Sequence, residues 1–292
     1  MTQLKNNELQ PGILDEKALN GRFMIFDIKD NVNGPQFRKC LSQLVIDKRI
    51  IVGLGKKALA TLNISEMEYR EFPQLDAEVK IPATGGDLFV CIRDTEAGKV
   101  AMKSLQVKQV LSECMQLKLL VDGFKYLGNN ETNGHDLTGY EDGTENPVGD
   151  DAVSAVMRQD GSCFVVLQQW QHDLEKFNGF SQEHKDNTIG RRLSDNVELS
   201  DAPASSHVNR SDQGTFDIDA DIVRRSMPYA NEHGEGLMFI AYCENLDRFE
   251  VQMRRMAGLN DGVIDALFTF SKILNSAYFY CPAVNNNKLV LT

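Results

Sequence analysis

The chain has 292 residues, of which 42% are hydrophobic and 25% charged, the composition of an ordinary globular protein with two domains or one large one. Its 31 Lys and Arg residues are outnumbered by 42 Asp and Glu, and the net charge of -11 excludes phosphate backbones and anionic membranes as expected partners. Residues 1–10 are polar and lack the apolar core of a secretion signal, and no apolar run reaches the ~18–20 residues that span a bilayer. We therefore expect a soluble cytoplasmic protein.

The six cysteines are widely spaced and form no Cys-x-x-Cys pair. Most of them lie within apolar runs, as Cys91 does in 89–92 and Cys243 in 241–243. In a long chain without a secretion signal, buried reduced thiols are expected rather than disulfides. The spacing supports neither a zinc site nor an iron–sulfur cluster.

In the first half of the chain, predicted strands alternate with predicted helices. Apolar, aromatic-rich runs indicate strands, and apolar residues at helical spacing indicate helices. The predicted elements are a strand over 22–28, a helix over 36–46, strands over 49–54 and 87–92, a helix over 95–115 and a strand over 117–126. The order is β-α-β-β-α-β, with extra material between the second and third strands.

The second half repeats this order. Its predicted elements are a strand over 163–170, a helical stretch from about residue 173, strands over 222–229 and 237–243, a helix over 247–256 and a strand over 277–281. Two such copies predict an α+β fold, a tandem duplication of a ferredoxin-like unit with antiparallel sheets. We place the N-terminal domain at residues 1–130 and the C-terminal domain at 131–292. The last residues, 285–292, predict a frayed terminus, with a docking segment for a partner as the alternative.

The segment 128–151 between the two halves is rich in Gly, Asn, Asp and Thr, the composition of a loop. Within it, Gly139 and Gly143 bracket Asp142, and Thr-Glu-Asn-Pro follows at 144–147. Glycines let a loop press its backbone against a flat ligand, at which Asp142 would project its carboxylate. By composition alone, a turn with a solvated aspartate is the favoured interpretation.

Among the five histidines, His207 lies outside the clear strand and helix patterns. A loop histidine can bind a metal or a haem iron through a neutral ring nitrogen, although a lone histidine is more often an ordinary hydrogen-bonded residue. His135 stays a candidate site residue because it borders the glycine-rich loop. We interpret His172, His184 and His233 as solvated.

Two adjacent arginines, Arg224 and Arg225, lie on the predicted strand over 222–229. Successive strand residues point to opposite faces, so one arginine can face inward while the other meets solvent. An inward guanidinium needs an anionic partner, either a nearby carboxylate or a bound anion such as a propionate or peroxide. Arg191 is a second candidate anion clamp. The aromatic residues, Trp170 included, are interpreted as core.

These motifs have a characteristic order along the chain. Gly-x-x-Asp-Gly at 139–143 and Thr-Glu-Asn-Pro at 144–147 are followed by the loop histidine at 207 and by Val-Arg-x-Ser-x-Pro-Tyr at 223–229. In this order they resemble the dye-decolorizing peroxidases, most closely the bacterial intracellular branch. The likeness covers nearly the whole chain. Two positions depart from the family pattern: Ala230 stands where glycine is usual, and 272–277 lacks the usual Thr-Gly turn.

The resemblance implies two ferredoxin-like domains and one b-type haem per chain, held in the C-terminal half. Carried over by position, it makes His207 the proximal iron ligand. Asp265 is then the acid that accepts a hydrogen bond from the other nitrogen of His207 and gives the ligand anionic character. The further cofactor contacts that the resemblance implies are Arg191, Thr144, Glu145 and Asn146.

The implied activity is that of a haem peroxidase that reduces hydrogen peroxide and oxidises dyes, phenolics or other one-electron donors. Asp142 would shuttle the peroxide proton, and Arg224 rather than Arg225 would stabilise the negative charge that develops on the departing oxygen. An aspartate has an ordinary pKa of ~3.9, against ~6.5 for histidine, so we expect an acidic activity optimum. The expected partners are peroxide, small donors and further copies of the chain in a homo-oligomer.

Two alternatives remain open at this point. A haem-handling protein that oxidises porphyrinogens or releases iron from haem would use the same site, and product analysis would separate it from a peroxidase. In a ferredoxin-like structural module without haem, Asp142, His207 and Arg224 would be turn and core residues. That protein would stay colourless after haem supplementation.

Overall fold

The first half of the chain forms a four-stranded antiparallel unit. The computed structural model describes residues 7–128 and 134–292. The elements of the first half are β1 (Asn20–Ile28), α1 (Gly34–Ser42), β2 (Ile50–Leu54), α2 (Lys56–Leu62), β3 (Leu88–Asp94), α3 (Ala97–Leu111) and β4 (Met115–Phe124). β1 pairs with β3 and β4, and β2 pairs with β3. The strand order is therefore β4-β1-β3-β2.

The second half has the same strand order. Its elements are β5 (Gly134–His135), β6 (Glu141–Asp142), α4 (Gly149–Val156), β7 (Cys163–His172), α5 (Leu174–Asn178), α6 (Gln182–Ile189), α7 (His207–Ser211), β8 (Val223–Arg224), β9 (Met227–Asn231), β10 (Gly234–Cys243), α8 (Asp247–Met256), β11 (Ser271–Cys281), β12 (Val284–Asn285) and β13 (Lys288–Leu289). The order β11-β7-β10-β8 repeats that of the first half, with β9 also paired to β10. The predicted duplicated ferredoxin-like fold is confirmed.

The two units share one sheet and the two larger hydrophobic clusters. β2 and β11 meet at the pair Leu54–Tyr280, which joins nine strands of the described residues into one sheet. Alternate residues of each strand face opposite sides: Met24 packs in the cluster that contains α1, α3 and α8, and Phe23 in the cluster that contains α4. The predicted boundary between residues 130 and 131 lies outside the described residues and stays a prediction.

Some helices and strands begin or end at other residues than predicted, because tertiary contacts determine where they stop. α1 begins with a capping box, in which Asn33 and Gln36 exchange side-chain hydrogen bonds to backbone N–H groups at 3.0 Å. It ends at Ser42 rather than residue 46, because Ile46 N–H donates to the carbonyl of Asn287 (2.9 Å) in the C-terminal hairpin. The expectation of a frayed terminus is wrong for the same reason, since Leu291 is only 7% exposed and packs into the core.

The predicted strand over 222–229 is two strands, β8 and β9. Between them the Ser226 hydroxyl accepts the Ile240 N–H (3.4 Å) in place of a backbone carbonyl. The helical stretch from residue 173 is also divided, into α5 and α6. α2 and α4, both short, were not predicted from the sequence.

Two further expectations from the sequence were reduced cysteines and the absence of a membrane-spanning segment. All six cysteines lie among the described residues, buried and unpaired, as expected. Within residues 7–128 and 134–292, no helix combines the length and the apolar character that a membrane crossing requires.

Candidate functional site

Two adjoining cavities lie in the second half of the chain, beside the loop over 139–147. The larger has a volume of about 680 Å³ and a mainly polar lining, and the smaller, of about 130 Å³, is walled mainly by apolar side chains. The apolar side chains are Trp170, Ile189, Ile222, Leu237, Phe239, Phe249, Met256, Leu267 and Phe270. Asp142, His207 and Arg224 line both cavities. A flat ligand with one apolar and one polar edge suits such a space.

His207 is the first residue of α7, the helix that Ser206 caps with its side chain. Its Nδ1 lies 2.8 Å from Oδ2 of Asp265, whose side chain is fully buried. The other Asp265 oxygen accepts the N–H of Leu267 at 2.8 Å, so the carboxylate is held on both sides. A carboxylate at Nδ1 keeps the proton there and leaves the lone pair on Nε2. Nε2 has no hydrogen-bond partner in the part of the chain that the structure describes, so it is available as a ligand atom.

Asp142 ends the short strand β6, which pairs with β5 through Gly134. The next residue, Gly143, has φ +87°, and a Cβ there would lie 3.0 Å from the side chain of Asn146. Glycine therefore lets the loop turn sharply just after the acid. Desolvation raises the pKa of Asp142, while the positive charge of Arg224 acts in the opposite direction with a smaller effect. The carboxyl group is thus suited to taking up and releasing a proton.

The Asn-Pro motif positions Arg224. The Asn146 side chain accepts the backbone N–H of Arg224 at 2.8 Å and donates to its carbonyl at 3.1 Å. On its other edge, β8 pairs with Ala241 of β10. Nε of Arg224 is buried and has no hydrogen-bond partner among the described residues. A cation fixed by its backbone, with a free donor beside the cavity, can bind an anion or stabilise developing negative charge.

Arg225 does not meet solvent, contrary to the expectation for the second arginine of the pair. It is 9% exposed, and its ion pair with Glu16 (3.0 Å) reaches into the first half of the chain. The burial was missed because the second face of this strand is covered by a segment distant in sequence.

Arg191 lies at the rim of the larger cavity and is already paired with carboxylates. Its Nη2 contacts Glu145 at 2.8 Å and Glu198 at 3.1 Å, and its Nη1 donates to the carbonyl of Asn196 at 3.1 Å. The Thr144 hydroxyl accepts a hydrogen bond from the Asn196 side chain (3.1 Å). The rim is therefore a network of charged and polar groups that surrounds one arginine.

A hydrogen-bonded chain beside the smaller cavity was not predicted from the sequence. His172 contacts the Ser271 hydroxyl at 2.7 Å through Nδ1 and Asp136 at 3.2 Å through Nε2, and its side chain is only 6% exposed. The prediction of a solvated His172 is wrong. Strand alternation was the available signal, since residue 172 shares a strand face with Trp170.

The contacts of Asp136 favour its ionised form. Burial raises its pKa, but hydrogen bonds and charge from His172 and hydrogen bonds from Thr138 outweigh burial and leave the pKa below its ordinary value. The negative charge of Asp136 in turn contributes to the raised pKa of Asp142. His184 and His233 are exposed, as predicted. His135 lines a third cavity, beside Arg225.

Comparison with protein families and curated proteins gives a consistent result. The family model for the C-terminal part of Dyp-type peroxidases matches residues 133–286. Dye-decolorizing peroxidases from Mycolicibacterium paratuberculosis and Mycobacterium tuberculosis are 33% and 32% identical over 221 and 223 residues, in each case 70% of this chain. The matches span 60% and 63% of the length of these two relatives.

Solved structures match over nearly the whole chain. A Dyp-type peroxidase protein from Shewanella oneidensis has a TM-score of 0.85 at 25% identity and covers 95% of this chain and 96% of its own. A variant of DypB from Rhodococcus jostii, solved in complex with haem, has a TM-score of 0.84 at 26% identity over 92% of this chain and 95% of its own. The encapsulated DyP-type peroxidase from Mycobacterium smegmatis has a TM-score of 0.82 at 25% identity and covers 98% of this chain and 99% of its own.

Proposed function

The chain belongs to the Dyp-type, or dye-decolorizing, peroxidase family, and from this premise we propose that it is a haem-dependent peroxidase that reduces hydrogen peroxide and oxidises small one-electron donors. The observation that carries the proposal is the convergence of three groups on one cavity. Three groups line it: a histidine (His207) and an arginine (Arg224) whose Nε2 and Nε have no partner among the described residues, and an acid with a raised pKa (Asp142). The haem-handling alternative uses the same groups, but the named relatives are peroxidases, so we retain peroxidase activity as the function.

The residues present fit one b-type haem. The apolar side chains around Trp170 and Phe239 suit the body of a porphyrin, and the polar rim around Arg191 suits its carboxylates. His207 would bind the iron through Nε2, since Asp265 holds the proton on Nδ1. Glu145 and Glu198 have side chains that are 68% and 54% exposed, so their ion pairs with Arg191 are weak enough to give way to a propionate.

Bound haem would supply redox-active iron that receives electrons from donors and transfers them to peroxide. The protein's own part is to move protons and to stabilise charge. Asp142 accepts the proton of one peroxide oxygen and returns it to the other as the O–O bond breaks. Arg224 keeps a positive charge where the departing oxygen becomes negative, and Asn146 holds that arginine in place.

A visible absorption spectrum tests the proposal. Protein supplied with haem should show a Soret band that changes on addition of one equivalent of hydrogen peroxide, and the His207→Ala variant should lose most stably bound haem. A Soret band that does not change on addition of peroxide would favour the haem-handling alternative. A folded protein that binds no haem would contradict the proposal.

We also propose a cytoplasmic location and a homo-oligomeric assembly. Six buried, unpaired thiols suit a reducing compartment, and symmetric oligomers are common among such enzymes. Light scattering of the purified protein tests the assembly. A monomer at micromolar concentration would contradict it.

A further inference from the structure

A third cavity, of about 360 Å³, lies against the loop and strand of the proposed site. It shares Asp142, Asn146 and Arg224 with the larger cavity. The rest of its wall includes side chains of the first half of the chain: Asp15, Glu16, Ala18, Arg93, Lys125 and Tyr126. We call it the Arg93 cavity. It forms where the two halves meet, and three residues of its wall, Glu16, Arg93 and Arg225, have no part in the proposed reaction.

Two buried guanidinium groups line the Arg93 cavity without full compensation. Arg93 is 3% exposed and Arg225 9%, and Nε of each lacks a hydrogen-bond partner among the described residues. Arg93 donates to the carbonyl of Gly12 and, within residues 7–128 and 134–292, has no carboxylate partner. Burial lowers the pKa of Arg225, Glu16 raises it, and the positive charge of Arg93 lowers it again. Among the described residues Arg225 has an ion pair with Glu16 and Arg93 has none, so these two mutually repelling cations favour a further anion.

The lining of the cavity specifies the kind of anion. A guanidinium fork matches a carboxylate, and Glu16 already places one against Arg225 at 3.0 Å. The side chain of Glu16 is 62% exposed, so it can leave when another carboxylate arrives. Apolar groups of Ala18, Met227 and Pro228 also face the space and can contact a hydrocarbon body.

The charge of the lining favours an anion. The cationic side chains are Arg93, Lys125, Arg224 and Arg225, and the carboxyl groups are those of Asp15, Glu16 and Asp142. When Glu16 leaves, four cationic side chains face only two carboxyl groups, and this excess of positive charge favours a carboxylate in its place. We propose that the Arg93 cavity binds a small monocarboxylate with an apolar or aromatic body, between Arg93 and Arg225 and in place of Glu16.

Titration calorimetry with benzoate on the haem-loaded protein tests this site, with benzamide as the uncharged molecule of the same shape. We expect benzoate to bind about tenfold more tightly than benzamide, because the charge-assisted hydrogen bonds require the carboxylate. Glu16→Gln should tighten benzoate binding, since it removes the internal competitor, and Arg93→Gln should weaken it about tenfold. Arg254→Gln, on the exposed face of α8 and outside the lining, is the matched control and should bind as the unaltered protein does.

Opposite effects of the two variants are the signature of this site. Benzoate affinity that changes in neither variant, or benzamide that binds as tightly as benzoate, would overturn the proposal. Absence of binding to both the unaltered protein and Glu16→Gln would overturn it as well. If Arg93→Gln fails to fold, as judged by circular dichroism, the surface variant Glu16→Gln decides alone. The readout is binding rather than turnover, so the outcome is independent of whether the proposed peroxidase function holds.

Discussion

Two opposing effects act on the carboxyl group of Asp142. Desolvation raises its pKa, and the neighbouring charge of Arg224 lowers it by a smaller amount. In the proposed reaction the group must be ionised to accept the peroxide proton, and its ionised fraction falls as the pH drops through its pKa. The acid limb of the proposed peroxide reaction should therefore lie at a higher pH than the ~3.9 of an ordinary aspartate would give.

The Arg224→Gln variant tests this balance of effects. Without the positive charge, the pKa of Asp142 rises further, so the acid limb should move to higher pH in addition to any loss of rate. The pH dependence of the second-order rate with peroxide, followed by stopped flow, measures the midpoint. Arg254→Gln should leave the midpoint in place. An acid limb that moves to lower pH in Arg224→Gln would show that Asp142 does not carry this titration.

Asp265 should act on the cofactor through His207. The Asp265→Asn variant removes the negative charge and keeps only one of the two oxygens that accept from the Leu267 N–H and from Nδ1–H. Loss of a charged partner behind a ligand histidine typically lowers activity by about 10–100-fold. Haem should stay bound with a higher reduction potential, measured by spectroelectrochemical titration.

The matched control for this prediction is Asp261→Asn, which changes an acid that pairs with Arg210 nearby. That variant should keep the potential of the unaltered protein. An unchanged potential in Asp265→Asn would mean that the carboxylate only fixes the orientation of the imidazole.

Between elements, the Asn146 side chain replaces a missing strand partner for β8. Its two hydrogen bonds satisfy the N–H and carbonyl of Arg224, so Asn146→Ala should cost about 1–3 kcal/mol in the free energy of unfolding. Urea denaturation measures this cost. Asn178→Ala, an exposed position on α5, should change stability little. A similar small change in both variants would show that water replaces the Asn146 amide.

The element predictions failed where distant contacts decide the outcome. The break between β8 and β9 depends on a Ser226–Ile240 hydrogen bond, and the end of α1 depends on Asn287. Both contacts join separate elements, so the hydrophobic periodicity of a single element cannot predict them. The burial of His172, in contrast, was predictable, because alternation along the strand puts it on the same face as Trp170.

The whole molecule carries 42 acidic and 31 basic residues, and this excess of negative charge should attract cationic electron donors. Acidic side chains lie along the larger cavity: Glu145, Asp151, Glu198, Asp212, Asp219 and Asp221. The kcat/KM of a cationic donor should fall several-fold as salt is raised, because screening shortens the reach of these charges. A neutral donor of similar size should show little change. Equal salt dependence for both donors would contradict electrostatic steering.

The sequence by itself determined the helices and strands with strong hydrophobic periodicity and the duplicated order of these elements. Through motifs that follow one another in a fixed order, it also determined the candidate residues Asp142, His207 and Arg224. These features are local, or they recur in the same order within a family, and a single chain displays them directly. Only the tertiary structure decided which groups meet. It paired His172 with Asp136 and Arg225 with Glu16. Those contacts join segments that are 36 or more residues apart, and their energies depend on burial and distance, which appear only when the chain has folded.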